Sequence, residues 1–277
     1  MAALQALRPA ASGIVRNPIL IVLAALFGVS QLPNLLVQPN QPLLAAGVSL
    51  ATTGVLLLVL PFFQGGILGM ASEAVRGKTS LATLIAEGKA NYVSLLLAYL
   101  VLLAINLVFA FVVFFGVLVG VVGASASGAT LAGDWTLLAV IGIVGGGLVL
   151  VYLLVTFAIQ FYGHAIVLDE RDLVAGFRRS AGLVRSNLLS VLGYSLILLA
   201  GGVVFGAFGA AASLGAGPQQ PPESPLADVV AFEQTTGIAV FFAVMYVLAT
   251  GVFGAFYATY SVAFYESIGG TAEPERR

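Results

Sequence analysis

Few side chains in this sequence are able to do chemistry. His164 is the single histidine and cysteine is absent, which excludes disulfides, thiolate metal sites and cysteine nucleophiles together. A metal on His164 would need distant carboxylates as co-ligands, so the imidazole is read as a hydrogen-bonded group near the inner end of an apolar run. Ser125 and Ser127 lie in the stretch Gly123-Ala-Ser125-Ala-Ser127-Gly128. Only Asp134 is placed to activate them, too little for a nucleophilic triad, and the stretch is read as a turn. Gly77-Lys78-Thr79 has the ending of a phosphate-binding loop, but Ser72 stands where that loop requires glycine, and no strand precedes it. What remains is neutral and polar: Gln64, Asn106 and Gln160, with Thr52, Thr53, Thr156, Tyr246, Thr250 and Tyr257. Such groups in apolar segments hydrogen-bond a neutral solute along a path, or tie neighbouring helices together. No catalytic residue, cofactor or metal site is expected, and the chain is read as a non-enzyme.

The elements that must position these groups follow from composition. Of 277 residues only 8% are charged and 60% are apolar, with a mean hydropathy of +1.07, against about 25% charged residues in a soluble domain. A water-soluble globule is excluded, and the expected fold is an all-α polytopic membrane protein, a single membrane domain over residues 1–277. The net charge of -1 and the absence of a basic run exclude nucleic acid as a partner. Membrane lipids are the expected partner, with a protein partner as a further possibility and the oligomeric state open. Six apolar runs are long enough to span: 18–37, 43–70, 92–122, 135–166, 188–212 and 238–264. The first follows Arg16 directly and continues for about twenty residues, longer than a signal-peptide core, so it is expected to stay as a span.

Basic residues orient the spans. All eleven fall in alternate connections: Arg8 and Arg16; Arg76, Lys78 and Lys89; Arg171, Arg178, Arg179 and Arg185; Arg276 and Arg277. The other connections carry Asp134, Glu223, Asp228 and Glu233. By the positive-inside rule both termini are cytoplasmic. The Pro-rich stretch 215–237 then lies outside and is read as a solvated spacer. Trp135 marks the outer interface, and Tyr92, Tyr162 and Tyr265 the inner one.

Asn17, Asn91 and Asn187 each begin an odd-numbered span, one or two residues after a basic residue, and each is expected to cap its helix; Pro18 suits the first helical position. Upstream of each lies a segment with helical apolar spacing: Leu4, Leu7 and Ile14, interrupted by Pro9; Leu81, Leu84 and Ile85; and Leu173, Phe177, Ala181 and Val184. These are read as interfacial helices. A shift of 96 residues superposes Gln64 on Gln160, Glu73 on Asp169, Lys89 on Arg185 and Asn91 on Asn187 without a gap. The expectation is three parallel units, 1–76, 77–172 and 173–270, each an interfacial helix plus a helix pair, followed by a tail over 271–277. Gly65 and Gly69, Gly116 and Gly120, Gly142 and Gly146, and Gly202 and Gly206 are expected to let helices approach closely.

The run Ile166-Val-Leu-Asp169-Glu170-Arg-Asp-Leu-Val-Ala-Gly-Phe177-Arg178-Arg179-Ser180-Ala-Gly-Leu183-Val184-Arg185-Ser186-Asn187 resembles the signature of the membrane domain attached to some glycerophosphoryl diester phosphodiesterases, and of related uncharacterised six-span proteins of haloarchaea. In those enzymes hydrolysis belongs to a separate barrel domain with acidic metal ligands and paired histidines, so no catalytic residue carries over. The resemblance implies a prokaryotic plasma-membrane protein, and nine Arg against two Lys suits a GC-rich or halophilic source. Function is then sought at the cytoplasmic elbows, where helix N-termini and basic side chains meet anionic headgroups. The candidate residues are Arg178, Arg179, Arg185, Asn187, Asn91 and Lys89, in a scaffold or accessory role toward lipid or a protein partner. The alternative is a uniporter or channel for a small neutral solute, lined by Gln64, Gln160 and Asn106.

Overall fold

The computed structural model describes residues 2–36, 42–126, 135–216 and 236–269. These form α1 (Ala2–Gln5), α2 (Leu7–Arg16), α3 (Ile19–Leu36), α4 (Pro42–Arg76), α5 (Leu81–Ala126), α6 (Trp135–Ile159), α7 (Tyr162–Leu168), α8 (Leu173–Ser186), α9 (Leu188–Ala216) and α10 (Thr236–Gly269). No strand occurs among the described residues. Five helical segments are long and apolar enough to cross a membrane. Counting α1–α2 and α3, which meet at a bend of 87°, as one broken span brings the number to six. The protein is therefore an all-α multi-pass membrane protein. Asp134, Glu223, Asp228, Glu233, Arg276, Arg277 and most of the 215–237 stretch lie outside the described residues.

Nine basic and six acidic residues are described, and all lie at one end of the bundle, here called the basic end. The core is there too. Phe161, Tyr194, Tyr260 and Phe264 stack into one cluster with Ala3, Ala6 and Ala10 of α1 and α2, and with Leu183 and Val184 of α8. Toward the other end the helices part. Leu43, Leu50, Val119, Trp135, Ile143, Val203 and Phe241 are all exposed, as apolar side chains are where lipid replaces protein as the neighbour.

Three expectations about the elbows are corrected. First, the asparagines do not cap the spans. Asn17 and Asn187 sit at the C-terminal ends of α2 and α8, and their amides donate to the i−4 carbonyls of Gly13 and Leu183, at 2.9 and 3.2 Å. Asn91 lies inside α5 and makes the same bond to Glu87 at 3.1 Å. An amide has donors as well as an acceptor, and here the open carbonyls of the preceding turn claim them. Asn17 also donates to Gly77 at 3.0 Å and accepts from the Thr79 amide at 2.9 Å, pinning the α4–α5 loop to the first elbow.

Second, residues 81–90 do not lie along the interface; they continue straight into α5. A Cβ added at Gly66 would stand 2.5 Å from the Leu84 carbonyl, and one at Gly88 2.8 Å from that of Phe62. Gly65, Gly66, Gly69 and Gly88 thus form a trough in which α4 and α5 run side by side, holding the segment upright. Third, the apolar faces of α2 and α8 cover the bundle rather than entering lipid. Ala3, Ala6, Ala10 and Gly13 are the buried face at the N-terminus, while Leu4 is 61% exposed. Phe177 packs on Tyr162, with ring centres 5.3 Å apart. The N-terminal segment divides at Ala6, and Pro9 lies within α2, where its missing amide leaves the Gln5 carbonyl without its helical donor.

The span expected at 135–166 is matched by the segment Gly142–Leu168, long and apolar enough to cross a membrane, but its helix is interrupted once. It breaks between Ile159 and Tyr162, and Ser180 of α8 repairs the break: its hydroxyl accepts from the Phe161 amide at 3.0 Å and donates to the Ala158 carbonyl at 2.9 Å. The turn read at 123–128 is helical through Ala126. Of the four predicted glycine pairs only Gly65 and Gly69 meet a neighbour; Cβ atoms at Gly116, Gly120, Gly142, Gly146, Gly202 and Gly206 would meet nothing within 4 Å. Instead Gly28, Gly251 and Gly254 seat α3 against α10.

Candidate functional site

Two regions gather polar groups. At the basic end, α8 begins with Asp172, whose carboxylate caps the helix by accepting from the Ala175 amide at 2.8 Å. The cap aims α8 across the end of the bundle and displays its arginines. Arg178 and Arg185 are exposed, and their spacing of seven places them on one face. Arg179 is engaged: it holds Asp169 at 3.0 Å and the Gly269 carbonyl at 2.9 Å. Partial burial opposes its charge, but the bond to Asp169 more than offsets this and leaves its pKa above the ordinary arginine value. Tyr265 donates to the same carboxylate at 2.8 Å and is buried, so it is a clamp between α10 and α7 rather than an interfacial anchor. A second clamp joins α4 to α10, where Glu266 accepts from Arg76 at 2.8 Å and from Ser72 at 2.9 Å.

Lys89 is exposed near the start of α5, whereas Asn91 and Asn187 are spent on backbone carbonyls. Of the six candidates at this end, Arg178, Arg185 and Lys89 are thus presented outward, and Arg179, Asn91 and Asn187 hold the scaffold. Arg8, Lys78 and Arg171 are also exposed, and none of the six outward cations has an ion-pair partner among the described residues.

The second region is a cavity of about 500 Å³ within the apolar body, bounded by α3, α4, α5, α7 and α10. Gln64 and Gln160 both line it, with Tyr99, His164, Thr250 and Tyr257. Gln160 ties helices, donating to the Phe157 carbonyl at 2.9 Å and accepting from Ser195 of α9 at 3.4 Å. Gln64 has its carbonyl oxygen Oε1 buried without a partner among the described residues. Gly163 makes room for it, since a Cβ there would stand 2.8 Å from the Gln64 amide nitrogen. His164 is buried and shares a hydrogen bond of 3.0 Å with Ser261. Asn106 is elsewhere, in a groove of about 430 Å³ between α5 and α6, where it accepts from Tyr152 at 2.8 Å. Of the three residues named for a solute path, the structure brings Gln64 and Gln160 to one cavity and leaves Asn106 in a separate groove. Sequence reasoning passed over Tyr99, whose only signal is a hydroxyl within an apolar run. No group of three or more metal-ligating side chains occurs among the described residues.

These features define a polytopic α-helical membrane protein with a basic, helix-capped end and a polar-floored cavity in its apolar body. The chain belongs to the family described as a domain of unknown function, DUF7847, which matches residues 1–268. Neither the curated proteins nor the solved structures contain a match to it.

Proposed function

We propose that this is a non-enzymatic plasma-membrane protein whose basic end faces the cytoplasm and serves as a scaffold or accessory surface, engaging anionic headgroups or a protein partner. The observation that carries it is the set of six exposed cations at one end with no ion-pair partner among the described residues: Arg8, Lys78, Lys89, Arg171, Arg178 and Arg185. Positive residues are retained on the inner side, which supports the orientation with both termini inside. The inner leaflet is also where anionic phosphates lie. The stretch 166–187, which resembles the phosphodiesterase membrane domain, is the stretch that forms the clamp at Asp169 and the arginine-bearing α8. Three parallel units fit the shared i−4 bond of Asn17, Asn91 and Asn187.

The test is retention of phosphatidylglycerol by the purified protein. Each cation near a charged surface contributes about 1 kcal/mol, so replacing Arg178 and Arg185 together by glutamine is expected to weaken retention roughly thirtyfold. Unchanged retention would refute the headgroup role. A uniporter for a small neutral solute is the second reading, favoured by the cavity that holds both glutamines. Loss of flux in liposomes on replacing Gln64 and Gln160 by leucine, with assembly intact, would put it first.

A further inference from the structure

The cavity has a shape and chemistry of its own, apart from the basic end. Among the described residues no Asp, Glu, Lys or Arg lines it, so an ionised ligand would lose its hydration with no countercharge from them in return. Its floor nevertheless holds polar groups left free. Among the described residues Gln64 Oε1 is a buried acceptor with no partner, and no hydrogen bond engages the hydroxyl of Tyr99 or that of Tyr257, whose side chain is 54% exposed. A buried amide oxygen without a donor is costly, by about 1–3 kcal/mol. An intramembrane site meets that demand only with a donor brought by a bound molecule or with water.

The walls say what carries the donor. From α3 and α4 they are hydrocarbon apart from Ser30 and Gln64, and Leu26, Phe27 and Val59 are 51, 43 and 39% exposed. These half-open side chains of α3 and α4 are apolar and exposed beside the cavity, as side chains that face lipid are. A molecule already dissolved in the bilayer meets these side chains directly, whereas a hydrated solute must first shed its water. A volume of about 500 Å³ lies within the usual range of small-molecule sites.

We infer that this cavity binds a neutral lipid alcohol, entering between α3 and α4, with its hydroxyl donating to Gln64 Oε1 beside the phenols of Tyr99 and Tyr257. The hydrocarbon chain lies against Leu26, Phe27 and Val59.

The experiment is photolabelling of the protein in phosphatidylcholine nanodiscs with a diazirine-bearing diacylglycerol, followed by peptide mapping. Adducts are expected on α3 and α4. Unlabelled dioleoylglycerol should displace them, while its 3-O-methyl ether, which has the same chains and no donor, should be at least fivefold weaker, as should dioleoylphosphatidylglycerol. Gln64→Leu is expected to reduce labelling about tenfold, the value of one buried hydrogen bond. Tyr257→Phe keeps the ring and removes only a free hydroxyl, so it reports even if Gln64→Leu fails to fold, and is expected to reduce labelling severalfold. Equal competition by the methyl ether or by phosphatidylglycerol overturns the inference. So does labelling that Tyr257→Phe leaves unchanged, and so do adducts confined to α6 or α9.

Discussion

Ser180→Ala puts the most weight on the smallest change. Ser180 is fully buried, and its one oxygen serves both sides of the gap between α6 and α7, at 3.0 Å to the Phe161 amide and 2.9 Å to the Ala158 carbonyl. Alanine fills nearly the same space, so no cavity opens and the loss is confined to two bonds. Each backbone group left unpaired in the interior costs about 1–3 kcal/mol. Desolvating the serine hydroxyl, a cost that alanine avoids, returns part of this, leaving a net destabilisation of about 2–4 kcal/mol. The consequence reaches beyond stability, because the gap orients Gln160 and His164 on one side while Ser180 itself sits one residue from Arg179. The assay is unfolding in mixed micelles by SDS titration, followed by circular dichroism. Ser180→Thr, which keeps the hydroxyl, should recover part of the loss. A change below about 0.5 kcal/mol, the noise of an ordinary surface substitution, would refute the claim that Ser180 repairs the break. It would mean that α6 and α7 can close into one regular helix without it.

Asn17→Ala removes two donor bonds and one acceptor bond at the first elbow and is expected to destabilise by about 2–4 kcal/mol by the same titration. Gly66→Ala drives a Cβ against the Leu84 backbone, a steric cost of about 1–3 kcal/mol. Gly116→Ala meets open space and should be neutral, or stabilising by up to about 1 kcal/mol through helix propensity. Arg179→Gln breaks a partly exposed ion pair and is expected to cost only about 1 kcal/mol, while leaving phosphatidylglycerol retention near the wild-type value. Because native cysteine is absent, single cysteines report topology cleanly. Lys78→Cys should react with an impermeant maleimide only from the cytoplasm and Glu223→Cys only from outside, and the opposite pattern would invert the assigned orientation.

The spans were legible because hydropathy is a property of each segment alone; the elbows were not, because their geometry is decided by residues elsewhere in the chain. Asn91 follows a basic residue as Asn17 does but has no proline after it, and its helix runs on unbroken where the glycines of α4 let residues 81–90 pack alongside. The gap at Gln160 carries no proline, and the serine that sustains it comes twenty residues later. In the cavity, Gln64 and Gln160 announced themselves as amides within apolar runs. Asn106 gave the same signal from another groove, because a single polar residue does not tell which neighbour its helix face will meet. The arginines of α8 could not be sorted by sequence into free and engaged, since the partner of Arg179 is set by how α7 and α8 fold back on each other.

Because contacts gather at the basic end and thin out toward the other, the two halves of the chain tolerate substitution under different rules. Near the basic end, side chains such as Tyr194, Tyr260 and Phe264 interlock, and shape matters there as it does in a crystal. In the parted half, residues such as Leu50, Val119 and Val203 face lipid, where any side chain of similar hydropathy serves as well. A library of random apolar replacements confined to that half should therefore keep the fold, whereas the same library at the basic end should not.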